Sequence, residues 1–200
     1  MDSSAISGLV FFLFGAAVFV YGLVLYSGLV RLRNQNDRAW ASLEVLLKQR
    51  HDNIANLLEV ARVFMPDEHP TLSAVTEAYT ASVGAVTIRQ KAAADLELAS
   101  ALYRLFVVAE NYPQLKADEK FLVLQNRMAE IEERIDERRK SFNDDVAAYN
   151  ARLGQIPDVI LGSIMDIKPR EMFKVSEKDR RLGERNLAGD PAAGVKTGNV

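Results

Sequence analysis

The pattern of apolar positions changes character near residue 30. Residues Gly8 to Val30, GLVFFLFGAAVFVYGLVLYSGLV, hold no charged side chain. As a helix rising about 1.5 Å per residue, this stretch extends roughly 34 Å, against about 30 Å of bilayer hydrocarbon. A soluble core helix rarely stays apolar on every face for so long, so the pattern predicts a membrane span. Cleaved signal peptides carry a basic start, a shorter apolar core and a small-residue cleavage site. Here Asp2 makes the start acidic and no such site closes the run. A retained anchor is expected.

Beyond the anchor the apolar residues fall three and four apart. Trp40, Leu43, Leu47, Ile54, Leu57, Ala61 and Phe64 form one stripe, and neither Pro nor Gly interrupts Leu29 to Met65. The spacing predicts an amphipathic helix continuing from the anchor. Pro66 and Pro70 end it. A second helix is expected from Thr71 as N-cap, with the stripe Leu72, Val75, Tyr79, Ser82 and Val86. The phase shifts between Arg89 and Asp95, which predicts a bend or short break. A third run, Leu98, Leu102, Leu105, Phe106 and Ala109, stops at Asn111-Tyr112-Pro113.

The fourth helix keeps a seven-residue rhythm through Phe121, Leu124, Met128, Ile131, Ile135, Phe142, Val146, Tyr149 and Leu153. Its outer face alternates Glu and Arg, the signature of a solvated surface. A short amphipathic segment, Val159 to Ile164, is read as capping the bundle or touching lipid. The polar end of the chain, from about Ser176, is expected to be disordered. The fold class is all-α: a single N-terminal transmembrane helix continuing into an antiparallel four-helix bundle. The expected division is an anchor over 1–30, a bundle domain over 31–173 and a tail over 174–200.

Composition narrows the function classes. A net charge of −2 gives no case for nucleic acid, and the absence of cysteine suits a reducing compartment without demanding one. Arg31, Arg33 and Arg38 follow the span closely, whereas Asp2 precedes it. That asymmetry predicts the N-terminus outside and the bundle in the cytoplasm. The same arginines suit contact with anionic lipid. Phosphate loops, nucleophile elbows, HExxH and dinucleotide fingerprints are all missing from the sequence. No catalytic residue, cofactor or metal is assigned, and an enzyme is not expected.

Some residues still need a reading. Arg50 interrupts the first stripe, with His51 beside it; Arg50, His51, Asp52 and Asn56 are expected to form a buried polar layer with Glu110 and Asn111, fixing helix register. His51 as a metal ligand lacks companions, since the other histidine, His69, sits in a loop. Tyr112 stands in a turn that either packs its ring or recognises a partner. Trp40 and Phe142 read as core anchors. Gly8, Gly15 and Gly22 repeat every seven residues, a spacing that lets membrane helices approach closely and points to a homo-oligomer. The ordinary abundance of Gly in membrane helices is the competing explanation.

Three blocks carry a resemblance. The first runs from Asn36 to Leu58, with Ala39-Trp40, Lys48-Gln-Arg-His-Asp52 and Ile54-Ala-Asn-Leu57. The second is Ala109-Glu-Asn-Tyr-Pro-Gln-Leu-Lys116, then Phe121 and Leu124-Gln125. The third joins Phe142-Asn-Asp144, Val146 and Tyr149-Asn150 to Ile156-Pro157 and Lys168-Pro169. In order and spacing these blocks resemble the LemA family of bacterial membrane proteins, over about residues 20 to 173; Ala81 to Ala94 match poorly. The resemblance implies a helical bundle anchored in the bacterial inner membrane, and supplies no catalytic residues. It suits a scaffold or adaptor acting through self-association or an unidentified protein partner. A sensor or regulator of a cytoplasmic partner is the alternative, and an unrecognised hydrolase a weaker one.

Overall fold

The computed structural model describes residues 3–174, and no strand occurs among them. Six helices follow in order: α1 (Ser3–Phe64), α2 (His69–Gly84), α3 (Ile88–Ala109), α4 (Pro113–Ala117), α5 (Glu119–Leu153) and α6 (Asp158–Ile164). The tail expected to be disordered lies outside the described residues, apart from its first residue. The helices divide between two units. One takes in residues up to Leu43 with Lys140–Glu171, the other Glu44–Arg139 with residues from Met172. The 31–173 segment, read from sequence as one domain, is thus shared between them.

The unit built around Glu44–Arg139 holds the larger core. Ile54, Leu57, Ala61, Met65, Val75, Leu98, Leu105, Leu115 and Phe121 are buried there, contributed by α1 to α5. The periodic stripes explain why: each helix hides one apolar face against its neighbours. Phe106 and Phe121 meet edge-to-face with centroids 6.3 Å apart, a favourable aromatic geometry.

Two expectations about α2 and α3 are corrected. Helix α2 begins at His69 rather than after Thr71; Glu68 holds the cap position without a side-chain cap bond, and Pro70 occupies the first turn, where its missing N–H matters least. The break falls at Ala85–Thr87, not between Arg89 and Asp95, so Val86 is 81% exposed instead of joining the core stripe. A capping box fixes this boundary. The Thr87 hydroxyl accepts from Gln90 N at 3.2 Å, and Gln90 Oε1 accepts from Thr87 N at 3.1 Å. Two otherwise orphaned donors are satisfied reciprocally. Asp118 caps α5 in a related way, accepting from Phe121 N at 2.8 Å.

The unit containing the apolar stretch of α1 has a smaller core. Leu29, Tyr149 and Leu153 are buried together, with Leu32, Leu161 and Ile167 against them. Trp40 and Phe142 meet in a tilted arrangement, with centroids 5.3 Å apart and planes inclined at 51°. After α6 the chain returns along α5: the Asn150 amide donates to Arg170 O at 2.9 Å and accepts from Arg170 N at 2.8 Å. Arg170 also pairs with Asp37 at 2.6 Å. Further towards the N-terminus, α1 exposes a run of apolar side chains from Leu9 to Val24, with Phe11 82% exposed.

Candidate functional site

Arg50 is the largest fully buried side chain, only 1% exposed. Its place on the α1 stripe beside Ile54 and Leu57 forces a cation into an apolar core, so partners are obligatory. Nη1 donates to Asp95 Oδ1 on α3 at 2.5 Å. Nη2 lies 3.2 Å from Glu132 Oε2 on α5. One guanidinium therefore ties three helices together. Its planar fork suits two carboxylates approaching from different directions. Burial pushes the Asp95 carboxyl above its usual range, and the adjacent Arg50 only partly offsets this. Glu132, half exposed, is raised for the same reason, again opposed by Arg50.

The ion cluster around Arg50 consists of Asp95 and Glu132, neither of them among the residues expected from sequence. Glu110 and Asn111 are exposed beyond the end of α3. Asn56 is exposed on an open groove shared with Glu59, Val63, Asp118 and Val123. In the unit built around Glu44–Arg139 the buried amide among the described residues is Asn53, whose Nδ2 donates to Leu124 O at 2.9 Å. Helix geometry carried that signal: at about 100° per residue, Asn53 lies nearer Arg50's face than Asn56 does. Asp95 was missed because it fell in the stretch read as a bend. Glu132 was missed because it belongs to a charge-rich run.

His51 faces α2. Its Nε2 is 2.9 Å from Ser82 Oγ, and its ring meets Tyr79 edge-on at 5.8 Å. Ser82 Oγ also donates to Tyr79 O at 2.8 Å. A hydroxyl has one hydrogen. With that hydrogen on Tyr79 O, His51 Nε2 must be the donor to Ser82. Burial and then Arg50 hold the His51 pKa below its usual value, in keeping with a neutral ring. Nearby, Lys91 pairs with Glu44. No group of three or more metal-ligating side chains occurs among the described residues.

The turn around Tyr112 is built into the core unit. Tyr112 packs its ring against the cluster, and its hydroxyl donates to Glu68 Oε1 at 3.1 Å. Glu68 and burial together raise the Tyr112 pKa, burial foremost. Gly8, Gly15 and Gly22 lie on α1, where a Cβ added to any of them would meet nothing within 4 Å. Gly28 differs: a Cβ there would lie 2.5 Å from Arg152 Nη2.

The profile of the LemA family matches residues 39–184. The chain belongs to the LemA family. The LemA match takes in the Arg50 cluster, the Tyr112 turn and the Asn150–Arg170 contact, and begins after the apolar stretch of α1. Among curated proteins, this LemA-family chain is similar to Magnetosome protein MamQ 1 and MamQ 2 of Paramagnetospirillum magneticum, each 31% identical over 81 residues. Magnetosome protein MamQ of Magnetospirillum gryphiswaldense is 30% identical over 80 residues. These matches cover 40% of this chain and 29% to 30% of those proteins, so the chain spans less than a third of the length of its relatives.

Proposed function

We propose that this LemA-family chain is a membrane-anchored helical scaffold or adaptor, working through self-association or partner binding rather than catalysis. The observation that carries the reading is the composition of α1. A stretch long and apolar enough to cross a membrane belongs to the same helix that supplies Arg50, Ile54 and Leu57 to a folded core. The anchor crosses the inner membrane with its N-terminus outside. An antiparallel four-helix bundle of α1, α2, α3 and α5 lies in the cytoplasm. The arginines at 31, 33 and 38 support this orientation and suit anionic lipid. The Gly8, Gly15 and Gly22 stripe, open within the chain, supports pairing between anchors.

The chain has no cysteine, so single-cysteine labelling reads the topology directly. Ser3→Cys should react with an impermeant maleimide in spheroplasts, and Lys140→Cys only in inverted vesicles. The reverse pattern overturns the orientation, and complete release by alkaline carbonate overturns the anchor. Gly15→Leu should lower crosslinked oligomers in native membranes; unchanged oligomers overturn the glycine interface. A regulator of a cytoplasmic partner is the second reading, favoured by the continuity of α1 from the apolar stretch to the Arg50 ion cluster. A crosslinked partner that changes with membrane composition would select it, whereas self-crosslinks alone select the scaffold.

A further inference from the structure

Around helix α6 runs an apolar row that stays uncovered among the described residues. Ile156, Ile160 and Ile164, four residues apart, are 83%, 58% and 78% exposed, and Val159 and Met165 are exposed beside them. The opposite side of α6 is firmly seated. Leu161 packs against the cluster of Leu29, Tyr149 and Leu153. Gly162 lies so close to Leu153 that an added Cβ would stand 2.7 Å from its Cδ1. The helix is therefore held in one orientation, with its isoleucines outward.

Leu29 is what gives that orientation meaning. It is the second-last residue of the uncharged stretch, and Arg31 and Arg33 follow at once. Because Leu161 shares a cluster with Leu29, the exposed row stands at the level where the anchor ends. The one carboxylate of α6 is turned away from the surface: Asp158 is buried, and its Oδ2 accepts from Arg152 Nε at 3.2 Å. Arg152 in turn covers Gly28. Behind α6, exposed Asp166 is paired with Lys168. Apolar side chains outward, carboxylates withdrawn or neutralised, and arginines at the same level form the pattern of an element lying in a membrane interface.

We propose that α6, with Ile156 before it and Met165 after it, is an interfacial foot embedded in the headgroup–acyl boundary of the bilayer, with Ile156, Ile160 and Ile164 in lipid. The proposal rests on the reading of residues 8–30 as a membrane span. The foot adds a second, laterally displaced contact to a single-pass anchor, and so restrains tilt and rotation of the unit it belongs to.

The test uses the full chain in nanodiscs of mixed zwitterionic and anionic lipid. A polarity-sensitive fluorophore is attached in turn at Val18→Cys, Ile160→Cys, Ile164→Cys and, as an exposed control on α5 two turns before Tyr149, Ser141→Cys. Met165→Cys replaces either isoleucine variant that loses helical circular dichroism. Shallow spin-labelled lipid should remove most of the emission at 160 and 164 and little at 141, while deep spin-labelled lipid quenches at 18. Quenching at 18 with positions 160 and 164 behaving like 141 overturns the foot and leaves the span intact. No quenching at 18 overturns the span and the foot with it. Blue-shifted emission at 160 without quenching, lost when each disc holds one chain, means that a second copy covers α6 and overturns the lipid assignment.

Discussion

Two stretches of α1 use one secondary structure under opposite rules. From Leu9 to Val24 the large side chains are apolar and exposed; from Glu44 to Phe64 one apolar face is buried, with Arg50 on it, while Val45 and Val63 face outward. In water the first stretch would be an unsupportable apolar patch, whereas lipid tolerates apolar side chains on every face and demands only that the backbone bond internally. The second stretch obeys the water rule, with one buried ion that must find partners. Helicity is common to both, so it is side-chain chemistry that assigns each its solvent.

The largest expected break comes from placing charge in the first stretch. Phe14→Lys with Val18→Lys introduces about 2.5–3.5 kcal/mol of insertion penalty per lysine near a span's centre, and should move the protein into the carbonate-soluble fraction. The same change at exposed Val45, in the second stretch, should alter stability by less than about 0.5 kcal/mol.

Arg50→Leu leaves Asp95 buried without its cation, and should lower the stability read by denaturant titration in detergent by about 3–5 kcal/mol. Combining it with Asp95→Leu should restore most of the loss, because Glu132 keeps access to water. If the double variant is no better than the single one, the penalty lies in lost packing instead.

Asn53→Ala should lower stability by about 1 kcal/mol through its lost bond to Leu124 O. Asn56→Ala, at an exposed position, should stay within about 0.5 kcal/mol. Equal effects would contradict the assignment of the buried amide.

The smallest effect is that of pH. Burial and Arg50 lower the His51 pKa, against weaker raising contributions from Asp95 and Asp52. The unfolded chain therefore takes up this proton near the ordinary value of 6.5, and the fold does so only at lower pH. This contribution is complete above that value and is lost as pH falls through the window beneath it. Asp95 and Glu132 act in the opposite sense. Their raised values make the fold bind protons first, so stability gained in acid is lost as pH rises from 3.8 for Asp95 or 4.5 for Glu132. His51→Gln should flatten the decline in melting temperature just below pH 6.5; an unchanged profile would assign the decline to other groups.

Much of this was legible in the chain. The anchor, the α1 and α5 stripes and the conflict posed by Arg50 are matters of local period and polarity. The Thr87–Gln90 capping box was equally local, but the phase shift after Arg89 drew the boundary too late. The partners of Arg50 were not legible. Glu110, near a helix end, is as suitable by type as Asp95 and Glu132, and residue type alone does not say which turn of which helix comes opposite.

By itself the sequence determined the long helical segments, which stretch suits lipid, and that Arg50 on an apolar stripe would need polar partners, because each follows from a property of neighbouring residues. The tertiary structure decided that Asp95 and Glu132 answer Arg50, that Asn53 rather than Asn56 is the buried amide, and that α6 turns its isoleucines outward beside Leu29. Those outcomes depend on distances between residues tens of positions apart, which packing fixes and local pattern does not contain.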